Sequence, residues 1–454
     1  MKELREKIEQ EIRKRGPIPF SRYMEACLYD EEFGYYSRNA SQFGKAGDFF
    51  TSSDVHAVFG RLLARQFDEM WRVLGSPSQI AIHELGPGRG LFAQDVLDWS
   101  EKKFPGFFRA LQYVLVERSP ALRQKIQENL SAYIRSGKVR LDQAKSAGIE
   151  DAATAARPKS PAHGASRGPE AEQTPAQEGR KKDSMAAPTV LPFPAAERPK
   201  NPARGASRGT EAEQTPAPEG RKKDRMAGPT ILFANEFFDA LPVEIVSSQG
   251  SLRIDSRNRR FTETWAPSSA EELEFLDRYS VHPEEAERIE VPLQALQQTS
   301  GVAGFERGFV IVIDYGYTRD EQLAGRHRGT LKAIRQHSVS TNAYEAPGEQ
   351  DITADVNFTA IGATLEAAGV HPQRLVTQSQ FLMGIGELNE FADAFEDCRL
   401  PQERAKVALQ LKHLVTPAGM GESFHVLVAS KGVATQDAGS LAGLSFGKNA
   451  MGKR

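Results

Sequence analysis

The sequence predicts an α/β protein with a Rossmann-like core, in which a mostly parallel sheet carries helices on both faces. Two observations lead to this prediction. The apolar run Ile80–Leu85 has the length of a buried parallel strand, and it passes through a glycine turn into residues 91–97, where apolar side chains recur at helical spacing. Comparable buried runs return at residues 113–117, 231–234 and 308–316. Strand, glycine turn and helix together open a nucleotide-binding βαβ unit.

Composition excludes several classes of protein. The chain has 454 residues, enough for two to three domains, and its net charge of -2 gives no overall attraction to nucleic acid. Its two cysteines, Cys27 and Cys398, lie far apart, which fits a reducing compartment and excludes a cysteine-rich zinc site. We therefore expect no nucleic-acid partner and no metal.

The N-terminal residues bear on localisation. Residues 1–8 contain no apolar core of signal-peptide length, and they mix acidic with basic side chains, unlike a transit peptide. No apolar run is long enough to span a membrane. We therefore expect a cytoplasmic protein of bacterial type, with no signal peptide, transit peptide or membrane span.

Changes of composition and periodicity divide the chain into five segments. We predict an N-terminal helical cap (1–75), the first half of the core (76–151), a disordered insertion (152–228), the second half of the core with acceptor-side insertions (229–434) and a flexible tail (435–454). The insertion contains a tandem repeat, because residues 157–186 recur at 198–227 with 25 of 30 positions identical. The repeated unit is rich in Pro, Gly, Ala and charge, so it cannot bury enough apolar surface to offset the entropy of ordering.

The glycine turn suggests a class of ligand. A dinucleotide fingerprint needs glycines at its first, third and sixth positions, whereas Gly86, Gly88 and Gly90 occupy the first, third and fifth. Glu84, just inside the strand end, would repel a pyrophosphate but suits a ligand that carries an amino group and a sulfonium, such as S-adenosylmethionine. A dinucleotide site and a plain tight turn remain alternatives at this point.

Two further segments are candidates for the same site. Glu117 ends the second strand, where an acid takes ribose hydroxyls in this architecture; the alternative is a solvated strand end. The polar loop Gly47–Ser53 is either a lid over the glycine turn or a capped turn. On the other side of the crevice, polar groups follow the strand at residues 231–234, and Asp314 ends another buried strand; the first of these groups are Asn235, Glu236 and Asp239.

The motifs together resemble the MidA family. The residues that carry the resemblance are Gly16-Pro-Ile-Pro-Phe, Gly34-Tyr-Tyr, Gly47-Asp-Phe-Phe-Thr-Ser, Glu84-Leu-Gly-Pro-Gly-Arg-Gly, Ala234-Asn-Glu-Phe-Phe-Asp-Ala-Leu-Pro, Ile313-Asp-Tyr-Gly, Gly329-Thr-Leu and Asp351-Ile-Thr-Ala. The resemblance implies a class I S-adenosylmethionine-dependent methyltransferase with a seven-stranded sheet. The family's mitochondrial members are complex I assembly factors that methylate a protein arginine. Two positions depart from the pattern: Asp355 stands where we expect His, and Val291 where we expect Ser before proline.

The resemblance also implies roles for the candidate residues. S-adenosyl-L-methionine would be bound by Gly47, Asp48, Thr51, Glu84, Gly86, Pro87, Gly88, Gly90 and Glu117. The acceptor, an arginine of a protein substrate, is cationic and needs carboxylates to orient it and take its proton, which assigns a catalytic part to Asn235, Glu236 and Asp239. A homodimer is a further expectation. Two alternatives stay open: an assembly chaperone that binds the donor without turnover, and a dinucleotide-dependent oxidoreductase.

Overall fold

The computed structural model describes residues 2–38, 57–143, 228–335, 338–340 and 342–446. All of them belong to one unit, formed by residues 1–147 and 222–454. Apart from residue 228, the predicted insertion lies outside the described residues, so its disorder stays a prediction.

The strands fall on both sides of that insertion. In chain order they are β1 (Ile18–Pro19), β2 (Ile80–Leu85), β3 (Leu111–Glu117), β4 (Val139–Gln143), β5 (Thr230–Asn235), β6 (Glu244–Ser247), β7 (Gly250–Arg257), β8 (Arg260–Ala266), β9 (Ile289–Val291), β10 (Gly308–Tyr317), β11 (Lys332–Arg335), β12 (Ser338–Ser340), β13 (Asp351–Thr353), β14 (Val356–Asn357), β15 (His371–Pro372), β16 (Val376–Thr377) and β17 (Phe424–Lys431).

The helices alternate with these strands. They are α1 (Lys2–Arg15), α2 (Phe20–Tyr29), α3 (Tyr35–Arg38), α4 (Ala57–Val73), α5 (Leu91–Lys103), α6 (Pro105–Ala110), α7 (Pro120–Asn129), α8 (Ser131–Arg135), α9 (Ala270–Tyr279), α10 (Leu293–Val302), α11 (Arg319–Leu323), α12 (Phe358–Ala367), α13 (Gln378–Glu387), α14 (Ala392–Phe395), α15 (Pro401–Val415) and α16 (Thr435–Gly439), followed by a 3₁₀ turn (Ala442–Leu444).

The main sheet has the predicted mixed but mostly parallel form. Among the described residues its strand path is β15-β17-β10-β5-β2-β3-β4, and the short strands β14 and β16 pair with β10 and β17. The five strands from β10 to β4 run parallel, whereas β17 is antiparallel to β10. The central strands β5 and β10 are buried nearly throughout because helices cover both faces. The prediction of a mostly parallel sheet is confirmed; its main path has the predicted seven strands, and the two short strands bring the total among the described residues to nine.

Each face of this sheet has its own core. On one face α4 and α5 pack against the strands, and the Phe92 ring stacks on Phe233 with centroids 4.6 Å apart, while Phe67 meets Phe233 edge-on at 5.6 Å. On the other face, α10 and α12 contribute apolar side chains such as Phe358 and Leu365 to a second cluster. Helices therefore lie on both faces, as predicted.

The predicted N-terminal cap divides between two cores. Helices α1 and α2 do not pack on the main sheet; they join a second sheet of order β1-β7-β6-β9, with β8 beside β7. In that core Tyr23 meets Phe261 edge-on at 5.2 Å and donates a hydrogen bond to the Ala343 carbonyl at 3.0 Å. Helix α4, by contrast, belongs to the main sheet. The cap is therefore not a separate layer, because its helices bury their apolar faces on different partners.

The predicted flexible tail is wrong for residues 435–446. Leu441 and Leu444 are each 1% exposed and lie in the main core. The Gly443 N–H donates to Oε1 of Gln66 at 2.9 Å, which ties the segment to α4. In the sequence these two leucines stand among small and polar residues, so composition alone predicted a flexible segment.

The strand register brings the candidate residues to one edge. Leu85 pairs with both Val116 and Ala234, and Ile313 pairs with Asn235. Because these strands are parallel and adjacent, the segments at or just after their carboxyl ends, at residues 86–90, 117–119, 235–241 and 314–316, lie side by side. This is the edge at which open α/β sheets bind ligands.

Candidate functional site

The glycine turn is open on one side. Gly86, Gly88 and Gly90 have positive φ angles of 63°, 56° and 75°, in the left-handed region, and Gly90 caps the start of α5. The Gly90 N–H donates to the carbonyl of the buried Pro87 at 2.8 Å, which closes the turn. A Cβ at Gly86 would lie 2.8 Å from the Phe237 ring, whereas a Cβ at Gly88 would meet nothing within 4 Å. The turn is thus packed at its first glycine and leaves space at its second.

Glu117 links the second parallel strand to this turn. Its side chain is 7% exposed, and Oε1 accepts a hydrogen bond from the Ser119 N–H at 2.8 Å. The backbone N–H of Gly88 also stabilises the charged carboxylate. Burial nevertheless raises the pKa of Glu117 to about 7. The carboxylate therefore lies beside the open part of the glycine turn, and its contact with ribose hydroxyls stays a prediction.

Glu84 has a protein partner that the sequence did not indicate. Its carboxylate is 4% exposed, and Oε2 accepts a hydrogen bond at 2.9 Å from the hydroxyl of Tyr113 on the neighbouring strand. Burial raises the pKa of Glu84 to about 8, opposed by the Tyr113 hydrogen bond and reinforced by the charge of Glu117. The hydrogen bond of Glu84 thus joins two neighbouring strands of the sheet. A direct contact between Glu84 and a ligand stays a prediction.

Three candidates lie outside the described residues. They are Gly47, Asp48 and Thr51, from the segment before α4 that the sequence predicts to be a polar loop. Their part in donor binding remains a prediction from the sequence motif.

The second polar region is the turn that follows β5. The Glu236 N–H donates to the Ile313 carbonyl at 2.9 Å, and Glu236 has a φ of 49°, a left-handed conformation that is rare for a side chain other than glycine. Asn235 donates from Nδ2 to Oε1 of Glu236 at 3.2 Å. Its Oδ1 is buried and has no hydrogen-bond partner among the described residues. The described part of the chain therefore leaves one acceptor of the turn unused.

Asp239 lies in the same turn and is surrounded by like charge. Its residue exposure is 9%, and no hydrogen-bond donor of the described residues reaches its carboxylate. Burial is the largest cause that raises the pKa of Asp239 well above its usual value, followed by the charges of Asp314, Asp351, Glu236 and Asp355. Such a carboxyl gains most from a cation placed beside it.

The structure adds residues that the sequence did not assign to the site. Asp351, on β13, accepts a hydrogen bond from the Tyr36 hydroxyl at 2.8 Å. Asp355 contacts Lys332 Nζ at 3.0 Å and His327 Nδ1 at 3.2 Å. Both acids lie in or directly after the motif that begins at residue 351, so the sequence singled out this segment. Its position beside the turn after β5 could not be predicted from sequence spacing.

These two regions suit a ligand with positive charge. The turn at Gly88 leaves space beside the Glu117 carboxylate, and the turn after β5 has, beside buried carboxyls, an amide oxygen that no donor of the described residues reaches. A ligand with a sulfonium and an amino group can supply charge at the first region, and a cationic acceptor can supply it at the second. The described side chains therefore fit an S-adenosylmethionine-type donor better than a pyrophosphate.

Comparison with known proteins identifies the family. The sequence pattern that defines a family of S-adenosyl-L-methionine-dependent methyltransferases, Methyltransf_28, matches residues 62–162 and 209–376, more than half of the chain. The chain belongs to this family. It is accordingly an S-adenosyl-L-methionine-dependent methyltransferase, S-adenosyl-L-methionine is its cofactor, and the dinucleotide-dependent oxidoreductase alternative is excluded.

Curated relatives of this methyltransferase align over most of its length. The mitochondrial protein arginine methyltransferase NDUFAF7 homolog of Drosophila melanogaster is 26% identical over 95% of this chain and 85% of its own. The mitochondrial protein arginine methyltransferase NDUFAF7 of Homo sapiens is 25% identical over 91% of this chain and 80% of its own. These relatives overturn the prediction of a cytoplasmic protein, because they are mitochondrial.

A solved structure shares the fold. A protein from Burkholderia thailandensis, crystallised with S-adenosyl-homocysteine, is 24% identical to this methyltransferase with a TM-score of 0.68, over 97% of this chain and 95% of that chain.

None of the helices in the described part of the chain combines the length and apolarity needed to cross a bilayer.

Proposed function

We propose that this methyltransferase transfers the methyl group of S-adenosyl-L-methionine to a guanidinium nitrogen of an arginine in a protein substrate. The observation that carries the proposal is Asp239, a buried carboxyl with four other carboxyls around it and no donor among the described residues. Asp355, one of these four, contacts Lys332 Nζ at 3.0 Å and His327 Nδ1 at 3.2 Å. The names of the curated relatives, protein arginine methyltransferases, support the same acceptor.

In this proposal the acceptor side holds and deprotonates the guanidinium. Glu236 and Asp239 orient the cation by charge-assisted hydrogen bonds, and the Asn235 amide oxygen accepts a further N–H. A guanidinium nitrogen attacks in line with the bond between the methyl carbon and sulfur, so positioning supplies much of the rate. The cofactor supplies an electrophilic methyl group. The acceptor nitrogen loses one proton as the new bond forms, and the carboxylate of Glu236 or Asp239 receives it.

The donor side holds the cofactor. We assign this part to Gly86, Pro87, Gly88 and Gly90, with Glu117 to take the ribose hydroxyls and Glu84 to border the donor from within the sheet. The loop residues Gly47, Asp48 and Thr51 complete the proposed donor set. A link to respiratory complex assembly and a homodimer stay predictions of the family resemblance.

Transfer of labelled methyl from S-adenosyl-L-methionine to cell extract tests the proposal. The proposal predicts one or a few labelled proteins, with methylarginine at the labelled position by mass spectrometry. Label on lysine, on a carboxyl or on a small molecule would contradict it. Tight donor binding without any transfer would instead support an assembly chaperone that retains the donor site without turnover.

A further inference from the structure

Asp314 stands behind the acceptor turn. It lies near the carboxyl end of β10, where Ile313 pairs with Asn235 and Asp314 itself pairs with His425 of β17. Its side chain is fully buried, with 0% exposure. A carboxyl at this depth cannot meet a protein substrate directly, so its use must lie in what it contacts within the protein.

Those contacts are with the backbone of the turn. Oδ2 of Asp314 accepts hydrogen bonds from the N–H groups of Phe237 at 3.1 Å, Phe238 at 2.9 Å and Asp239 at 3.3 Å. Oδ1 accepts from the N–H of Tyr315 at 3.0 Å. Successive backbone N–H groups that converge on one oxygen form an anion-binding concavity, and here the protein's own carboxylate fills it.

The turn would not be expected to keep this shape unaided. Glu236 adopts a left-handed backbone conformation that persists only where the surroundings over-determine it. Two groups of β10 fix the turn: the Ile313 carbonyl, which accepts from the Glu236 N–H at 2.9 Å, and the Asp314 carboxylate, which accepts from the next three residues. The turn thus holds Glu236 at its start and Asp239 at its end.

We propose that Asp314 is a positioning residue for methyl transfer: through the N–H groups of residues 237–239 it fixes the separation and direction of Glu236 and Asp239. This role rests on the proposed function. Asp314 does not touch the acceptor or the reacting atoms, and the backbone occupies both of its oxygens. Burial and the charge of Glu236 raise its pKa to about 8, and the N–H donors of the turn oppose that rise.

Two substitutions separate this role from a direct one. Asp314→Ala removes the oxygen that accepts from the N–H groups of residues 237–239, and we expect kcat to fall about 10²-fold, the loss typical of a misplaced reacting group, with donor affinity unchanged. Asp314→Asn keeps one oxygen for the three N–H groups, so kcat should stay within about tenfold of wild type, the difference between a charged and a neutral acceptor.

Amide hydrogen exchange provides a readout that does not depend on turnover. In Asp314→Ala the amides of residues 237–239 should exchange about 10²-fold faster, while those of helix α10 keep their wild-type rate. General destabilisation of the protein would instead accelerate amide exchange both at residues 237–239 and in α10. The matched control is Glu272→Gln, since Glu272 is also a buried carboxylate that accepts a backbone N–H, from Ser269 at 2.6 Å, but at the start of α9. It should leave kcat and the exchange of residues 237–239 unchanged.

Each contrary outcome overturns the proposal. Unchanged exchange at residues 237–239 in Asp314→Ala would show that Asp314 does not anchor the turn, and faster exchange with unchanged kcat would show that the anchor does not serve catalysis. If Asp314→Asn lost as much kcat as Asp314→Ala, the charge rather than the backbone contact would act. If Asp314→Ala did not fold, Asp314→Asn alone would decide, since a loss of about 10² in kcat with protected amides contradicts positioning. A wild-type protein that methylates no arginine would instead refute the proposed function.

Discussion

The glycine turn and the turn after β5 lie at the same edge of the sheet. The buried acids Glu84 and Glu117 of the first side differ from Asp239 of the second in the hydrogen bonds that they receive. On the glycine side, Glu84 has the Tyr113 hydroxyl and Glu117 has backbone N–H groups. On the other side, the Asp239 carboxylate has no donor among the described residues and faces four carboxyls. The difference indicates that Glu84 and Glu117 on the glycine side are satisfied within the protein, whereas the second side gathers carboxyls around Asp239 that a cationic acceptor would stabilise in their charged form.

The largest expected effect comes from the charge of the acceptor side. Glu236→Gln keeps the shape of the side chain and an oxygen for the Asn235 amide, but it removes the charge and the proton acceptor. We expect methyl transfer to fall by about 10²–10⁴, the usual contribution of a general base, with cofactor affinity nearly intact. Transfer of labelled methyl measures the rate, and calorimetry with S-adenosyl-L-methionine measures the cofactor affinity. Equal rates for mutant and wild type would remove Glu236 from catalysis.

A smaller effect is expected at the open position of the glycine turn. A Cβ at Gly88 meets no protein atom, but the left-handed backbone is strained for a β-branched residue and the side chain would enter the space proposed for the donor. Gly88→Val should therefore weaken cofactor binding by about 10²-fold or more, since left-handed strain of roughly 1–2 kcal/mol adds to the steric loss. Circular dichroism should show a folded protein. Unchanged affinity by calorimetry would place the donor elsewhere.

Glu117→Ala sharpens the assignment of the ribose contact. Loss of hydrogen bonds to a charged group should weaken cofactor binding by roughly 1–3 kcal/mol. The comparison ligand is an analogue of the cofactor that lacks the ribose hydroxyls. The mutant and wild type should bind this analogue with similar affinity; if the mutant loses as much affinity for the analogue, Glu117 supports the turn rather than the ribose.

A prediction on stability rather than on activity or binding concerns Glu84 and pH. Because burial raises the pKa of Glu84 to about 8, the folded protein holds a proton there that the unfolded chain releases near pH 4.5. The free energy of unfolding should therefore fall as pH rises from about 4.5 to 8, by roughly 1.4 kcal/mol per pH unit for this group. Glu84→Gln should reduce that slope. Urea unfolding at pH 5.5 and 7.5 measures it, and identical slopes would show that Glu84 is ionised in the folded protein.

Sequence reasoning predicted the parts of the site that local pattern encodes. The apolar run Ile80–Leu85 and the glycines after it specify a strand and a turn by themselves, and the run before Asn235 does the same for β5. The parallel register then follows from the fold class, which is why Glu117 and the glycine turn were expected to meet.

The remainder of the site depends on distant contacts. Tyr36 and Asp351 are 315 positions apart, and their hydrogen bond exists only because α3 and β13 pack near the same sheet edge. No spacing rule encodes such a pair. The anchoring role of Asp314 was equally hidden, since a carboxyl at a strand end predicts a ligand contact, whereas here it accepts from backbone N–H groups of another strand's turn.

The central claim is that the turn after β5 binds a guanidinium. The most direct test compares the affinities of two peptides for the protein. One contains the arginine that the protein methylates, and the other has citrulline there, which keeps the shape but is neutral. Calorimetry with S-adenosyl-homocysteine present should show binding of the arginine peptide and at least about 10-fold weaker binding of the citrulline peptide, since a hydrogen bond to a charged group is worth about 1.5–3 kcal/mol. Glu236→Gln should narrow the difference. Equal affinity of wild type for the two peptides would contradict the account.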